Sequence, residues 1–369
     1  MAERTDVDVV VLGLGPGGEY AAQKLAEAGL SVVGVERSLV GGECPFYGCI
    51  PSKIMIRAAD SLGEARRATT LAGEVDVRPD WTLVSTRIDK QATNHWDDAS
   101  HVSRLEDAGV TIVRGHGRIA GPGCVVVDGH QYVAARGVVL NAGTEPATLP
   151  IEGLEGTPYW TNREVVRLTE LPDRLVVIGG GAIGAELTQA MARFGVRVTL
   201  VEVADRILAV EEPESSNVLH GVLEAEGVEI ITGATISRVE HDGVFHVVVD
   251  GRTIDAEGLL VAAGRRTNLS DVGLETVGLD PSARTVVTDE RMRAGERLWA
   301  VGDITGHGAF THVSMYQGRI AVRDLLGEDG PWADYRAVSR VTFTDPEVGS
   351  VGMTEQQARD AGIDVVIGH

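Results

Sequence analysis

At 369 residues, with 43% hydrophobic side chains and a mean hydropathy near zero, the chain has room for two or three domains and the composition of a globular protein. A formal net charge of -21 leaves no basic face to displace counterions from phosphates, which excludes nucleic acid as a partner and chiefly aids solubility. Three cysteines are too few for a disulfide framework, and no apolar run approaches the roughly 18 residues that would span a membrane.

The opening segment MAERTDVDVVVLG lacks the basic and long apolar regions of a secretory signal, so it is read as mature and cytoplasmic. It leads into a predicted strand at Val9–Leu12, a glycine turn GLGPGG, a helix through EYAAQKLAEAGL and a second strand SVVGVE. Gly13, Gly15 and Gly18 fill a GxGxxG pattern. Such glycines let the backbone turn tightly, approach a pyrophosphate and pack against a helix whose N-terminus attracts phosphate. Glu36 closes the second strand, where a carboxylate can hold a ribose hydroxyl.

Next comes GGECPFYGCIPSK, residues 41–53, with Cys44 and Cys49 close together. Three readings compete: a zinc half-site, two small buried hydrophobes, or a redox disulfide. Zinc needs four ligands, but Cys124 stands apart in GPGCVVVDG and the nearest histidine is His95, so no metal site is expected. IPSKIMIRAADSL reads as a helix, and a cysteine at a helix N-terminus gains thiolate character, which favours the redox reading. The polar run TRIDKQATNHWDDASHVSRLEDAG, residues 86–109, is predicted to be helical and solvated, with no functional role for its charges.

Further along, LVVIGGGAIGAELTQAMARFGVRVTLVE repeats the strand, turn, helix and strand, with Gly179, Gly181 and Gly184 in the three glycine positions. Glu202 follows Gly179 by 23 residues, as Glu36 follows Gly13. Two matching units predict two dinucleotide sites. A carboxylate at Glu202 would repel a 2′-phosphate and favours NADH, although Arg206 lies close enough in sequence to leave NADPH open.

In chain order, GGECPFYGCIPSK, NAGTEP, GGGAIGAE, AAGRRTN, VGDITG and FTDPEVGSVGMTE resemble the segments of the flavin-dependent pyridine nucleotide-disulfide oxidoreductases, the family of dihydrolipoyl dehydrogenase, glutathione reductase and mercuric reductase. The resemblance implies an α/β fold with two Rossmann-like domains, the second inserted in the first. The expected divisions are an FAD domain at 1–147 and 265–330, an NAD(P) domain at 148–264, and the start of an α+β dimerisation domain at 335–369. It implies FAD in the first site, with Glu36 on the adenosine ribose and Asp303 on the ribityl chain, and NAD(P)H in the second. Gly42, Gly143 and Gly264, from the matching loops, join the cofactor-binding set. Cys49 is implied as the flavin-facing thiolate, Cys44 as the thiol that exchanges with substrate, and Lys53 with Glu186 as an ion pair beside flavin and nicotinamide. The helix starting near His312 is implied to point its N-terminus at the flavin, His312 itself being as well suited to packing as to catalysis.

Departures from the pattern are PFYG between the cysteines, which puts Phe46 and Tyr47 beside them, and Ala182, where some relatives carry a bulky residue over the flavin. Relatives continue for about a further domain, with an HPTxxE-like acid–base motif that nothing here matches. The expectation is therefore a fragment, homodimeric when complete, with the terminal His369 poorly placed to serve as the base. The leading expectation is a dihydrolipoyl dehydrogenase-like enzyme acting on a small or protein-bound dithiol or disulfide. The others are the same flavin chemistry with a quinone, metal ion or nicotinamide nucleotide as acceptor, and a redox sensor without turnover.

Overall fold

The computed structural model describes residues 3–267 and 269–368, so His369 and Asn268, which ends AAGRRTN, lie outside the described residues. The chain divides into two compact units. The first comprises Met1–Phe46, Thr93–Glu145 and Arg265–Tyr335; the second comprises Tyr47–Ala92, Pro146–Gly264 and Arg336–His369. This division breaks the chain between the two cysteines and puts the 47–92 segment with the second unit.

In the first unit the strands Leu298–Ala300, His130–Leu140, Arg4–Leu12, Val32–Glu36 and Val110–Arg114 lie in that order as a parallel sheet. The run of apolar residues in Arg4–Leu12 is buried on both sides, as a central parallel strand requires. Val9 and Val11 face a core completed by Leu25 and Ile320, while Val10 and Leu12 face one completed by Val138 and Ile304. The helices Pro16–Glu27 and Thr311–Leu326 pack closely, since a Cβ on Gly17 would fall 2.4 Å from Ser314 Oγ.

The second unit holds a parallel sheet in the order Glu229–Ile231, Arg197–Val201, Arg174–Ile178 and Gly258–Val261. A three-stranded antiparallel sheet, Ile236–His241, Phe245–Val249 and Arg252–Ala256, shares with it an apolar cluster that joins Phe245 and Val247 to Val176, Val201 and Leu259. The 23-residue helix Cys49–Leu71 lies against the helix Ala182–Arg193, and a hairpin Ser339–Thr342 with Val348–Val351 follows later in the chain.

The run at 86–109 differs from expectation. Asn94, His95 and Trp96 all take positive φ (46°, 62° and 56°), which ends helical winding, and a separate helix begins at Ala99. Several of its polar groups are committed to the protein. The Trp96 ring N–H donates to the Phe46 carbonyl at 3.1 Å, and buried Asp98 accepts from Val40 N–H at 2.6 Å and pairs with Arg114. His101 and Arg104 both meet Glu19. A segment read as solvated thus braces the chain just before and within the first part of the cysteine loop. Among the described residues no helix is long and apolar enough to cross a membrane.

Candidate active site

The two glycine turns have the same internal geometry. Gly13 and Gly179 adopt φ of +95° and +107°, and a Cβ on either would collide with a backbone carbonyl, Asn141 O at 2.3 Å or Ala262 O at 2.6 Å. Cβ atoms on Gly18 and Gly184 would strike the carbonyls of Gly13 at 2.0 Å and Gly179 at 1.8 Å. Each turn is therefore closed by its first and third glycines. The middle glycines differ: Gly181 has no atom within 4 Å of an added Cβ, and Gly15 meets only the Asn141 side chain at 3.3 Å. Both cap their helices in extended conformation, so the backbone beside the first free N–H groups stays open. That opening fits a pyrophosphate in each turn.

The two acidic residues also occupy equivalent places. Glu36 Oε2 accepts from Leu14 N–H at 2.8 Å and Oε1 from Ser38 N–H at 2.8 Å. Glu202 does the same with Gly180 at 2.5 Å and Ala204 at 2.8 Å. Each carboxylate holds its glycine turn against the strand that carries it. Burial pushes the Glu36 carboxyl up, against the lowering effect of its two amide donors and Arg114. Arg206 donates to the carbonyls of Ala209 and Glu211. Its two terminal nitrogens are thereby committed to its own loop.

Three sequence-distant segments meet in the first unit. Asp303 accepts from Thr144 Oγ1 at 2.7 Å, and Arg265 donates to that hydroxyl and to the Thr144 carbonyl, both at 2.7 Å. Arg265 also lies 3.6 Å from Glu43, next to Cys44. Gly42, at φ +69°, packs against Gly15, so the start of the cysteine segment lies on the first glycine turn. Gly143 and Gly264, both at positive φ, have open space around them. His312 stacks on Phe310 at 5.3 Å in the first turn of its helix, a packing contact.

Cys44 is half-buried in the short helix Glu43–Phe46, and Cys49 is exposed as the first residue of the helix Cys49–Leu71. Within the second unit, one turn beyond Cys49, Lys53 Nζ lies 2.7 Å from Oε2 of buried Glu186. The other oxygen, Oε1, accepts from Phe343 N–H at 2.8 Å, and the Phe343 ring lies 4.5 Å from the Lys53 ammonium. Ala182 is exposed in the first turn of the same helix as Glu186. Among the described residues no cluster of His, Cys, Asp and Glu could hold a metal ion.

Sequence reasoning missed Asn141, whose side chain lies against the first turn, and Gln317, which is fully buried and accepts from Gly302 N–H at 2.6 Å beside Asp303. It also missed Phe343. Polar residues that satisfy a neighbour's backbone carry no spacing signature, although the apolar–polar break at Gln317 in a helix otherwise buried on that face was available.

Residues 7–318 match the family model described as pyridine nucleotide-disulphide oxidoreductase, and residues 338–369 match that of its dimerisation domain. The chain is 32% identical to a dihydrolipoyl dehydrogenase of Bacillus subtilis over 385 residues, covering 99% of this chain and 81% of that protein. It is also 32% identical to a mercuric reductase of Bacillus cereus, covering 98% of this chain and 58% of the longer protein. Among solved structures, the flavoprotein disulfide reductase RclA from Escherichia coli aligns with a TM-score of 0.85 at 29% identity, over 97% of this chain and 80% of that one. LpdA from Mycobacterium tuberculosis aligns with a TM-score of 0.84 at 30% identity, over 98% and 80%.

Proposed function

The chain belongs to the pyridine nucleotide-disulphide oxidoreductases, FAD-dependent NAD(P)H enzymes, and we propose that Cys44 and Cys49 are the disulfide through which it passes electrons to a dithiol or disulfide substrate. The observation that carries this reading is the single helix that starts at Cys49 and, one turn later, presents Lys53 to buried Glu186. A helix N-terminus favours the thiolate that disulfide exchange requires, and a fixed ammonium near it favours added negative charge.

The cofactors supply the hydride and electron-pair transfer when bound. The chain's part is to hold and orient them. Gly13, Gly15 and Gly18 would form the turn for the FAD pyrophosphate, Glu36 would hold the adenosine ribose, and Asp303, fixed by Thr144, would take the ribityl hydroxyls. Gly179, Gly181 and Gly184 with Glu202 form the nicotinamide nucleotide turn. Because both terminal nitrogens of Arg206 donate to carbonyls of its own loop, NADH is favoured over NADPH. Cys44, half-buried on the side of the flavin-binding turn, is the thiol that exchanges with substrate, and Cys49 is the one left as thiolate. Residues 338–369, with their match to a dimerisation domain, favour a homodimer.

Steady-state NADH oxidation with lipoamide, glutathione disulfide, a quinone and Hg²⁺ as separate acceptors tests this. Turnover of a disulfide that vanishes in Cys44→Ser, while quinone reduction persists, is the expected pattern. Disulfide turnover that survives in Cys44→Ser, or brisk quinone or metal reduction with none of a disulfide, would overturn the assignment of the pair.

A further inference from the structure

Within the second unit, the helix Ala182–Arg193 presents one polar face to residues 343–347, the loop between the two strands of the hairpin. Glu186, Gln189 and Arg193 stand at i, i+3 and i+7 and so share one side of that helix. Each meets the loop. Glu186 Oε1 accepts from Phe343 N–H at 2.8 Å, and Arg193 pairs with the Asp345 carboxylate at 2.8 Å. Gln189, 3% exposed, holds both backbone groups of Asp345: its Nε2 donates to the carbonyl at 2.8 Å and its Oε1 accepts from the N–H at 2.7 Å. Its Nε2 also reaches Glu226 Oε1 at 3.4 Å.

This two-point hold bears on the ion pair of Lys53 and Glu186 through the chain itself. Asp345 follows Phe343 by two residues, a path of at most about 7 Å between Cα atoms, so fixing the backbone of one confines the other. Phe343 in turn fixes the carboxylate. Its amide occupies Glu186 Oε1 and leaves Oε2 to Lys53 Nζ at 2.7 Å, while its ring lies 4.5 Å from that ammonium. The Glu186 side chain is 7% exposed and that of Lys53 36%, so the carboxylate is the anchored partner and the ammonium follows it. A carboxylate bonded through both oxygens keeps one orientation; released from the amide it can rotate, and the ammonium moves with it. The Asp345 carboxylate is held separately, by Arg67 and Arg193, so the Gln189 hold can be released without unpairing it.

Resting on the reading of Lys53 and Glu186 as an ion pair on the redox path, we propose that Gln189 is a positioning residue for that pair. It acts through the backbone of residues 343–345, which delivers the Phe343 amide to Glu186 and the Phe343 ring to Lys53. A side-chain amide suits this task because it carries a donor and an acceptor side by side, matching the carbonyl and N–H of one residue.

The test is stopped-flow reduction of the FAD-loaded full chain by NADH, in Gln189→Met, in Glu186→Gln and in the double variant. Methionine is close to glutamine in length and volume and lacks its amide, so it releases the loop without opening a cavity. Gln189→Met should lower the limiting rate of flavin reduction on the order of 5–10-fold, with NADH affinity held within about twofold. In the double variant the rate should match that of Glu186→Gln alone within about twofold, because a residue that acts through Glu186 has nothing left to position. A purely structural role would lower the thermal midpoint and leave the limiting rate in place. Far-UV circular dichroism and FAD content identify a Gln189→Met protein that has failed to fold. Gln189→Glu then carries the test, since it keeps the shape and sets an oxygen against the Asp345 carbonyl, with the same slowing expected. A folded variant with a limiting rate within about twofold of wild type, or one whose slowing multiplies that of Glu186→Gln, overturns the proposal and leaves the ion pair standing. A Glu186→Gln protein that is reduced at the wild-type rate overturns the pair and the proposal with it.

Discussion

Glu186 accepts from Lys53 through one carboxylate oxygen and from the Phe343 amide through the other, so neutralising it unpairs an ammonium without removing the side chain. Glu186→Gln should slow reduction of the bound flavin by NADH on the order of 10–100-fold, as loss of a preorganised electrostatic partner does elsewhere. NADH affinity should change far less. Stopped-flow absorbance over a range of NADH concentrations separates the two, and a limiting rate within twofold of wild type would remove the pair from the redox path. At this scale the glycines and acids were legible because each answers to a local constraint repeated at a fixed spacing. Phe343 was not, since it meets Lys53 across nearly three hundred residues and a phenylalanine in a strand end reads as core.

The second glycine turn distinguishes positions that close the element from the one that faces its ligand. Gly184→Ala places a Cβ 1.8 Å from the Gly179 carbonyl and should destabilise the protein by about 3 kcal/mol, the upper range for overpacking. Gly181→Ala meets nothing within 4 Å, so its thermal midpoint should stay within a degree or two of wild type. Its affinity for NADH should nevertheless fall on the order of tenfold, a cost of about 1.4 kcal/mol. Differential scanning fluorimetry and equilibrium titration measure the two effects, and a Gly181→Ala protein with unchanged affinity would show that the open turn is not the nucleotide site. Strand–turn–helix units were readable because hydrophobic period and glycine spacing agree. The 86–109 run was misread for the opposite reason. Its composition is that of a solvated helix; the positive φ values at Asn94, His95 and Trp96 leave no mark in it, and buried Asp98 meets the Val40 amide, a partner 58 residues away whose position no local pattern states.

On the scale of the molecule, the second unit is tied together by a buried cation that ordinary sequence patterns do not reveal. Arg193, 2% exposed, pairs with Asp60, Glu226 and Asp345 at 2.6–2.8 Å and so joins segments from three parts of the chain. Arg193→Met should cost about 3 kcal/mol, the low end for breaking a buried pair, because the three carboxylates are each a quarter to a third exposed and can rehydrate. Burial by itself would raise the Asp345 and Glu211 carboxyls. Hydrogen bonds from Arg67 and Arg193 to Asp345, and from Arg340 and Ser350 to Glu211, hold them below their ordinary values of 3.8 and 4.5. The folded form then binds these protons less readily than the unfolded chain. The stability they contribute is present above about pH 4.5 and is lost as the pH falls through the depressed values. Asp60, raised first by burial, acts in the opposite sense. Urea midpoints between pH 3 and 7 should therefore fall toward acid, with a shallower fall in Asp345→Asn; an equally steep fall would assign the acid sensitivity elsewhere.

The central claim, that Cys44 and Cys49 are a redox pair coupled to the flavin, is tested most directly by anaerobic titration of the FAD-loaded protein with NADH while its visible spectrum is recorded, in wild type and in Cys49→Ser. The expected result is uptake of about two reducing equivalents before the flavin bleaches, with a long-wavelength band that requires Cys49. Direct bleaching without that band in both proteins would contradict the claim, even with both nucleotide sites filled.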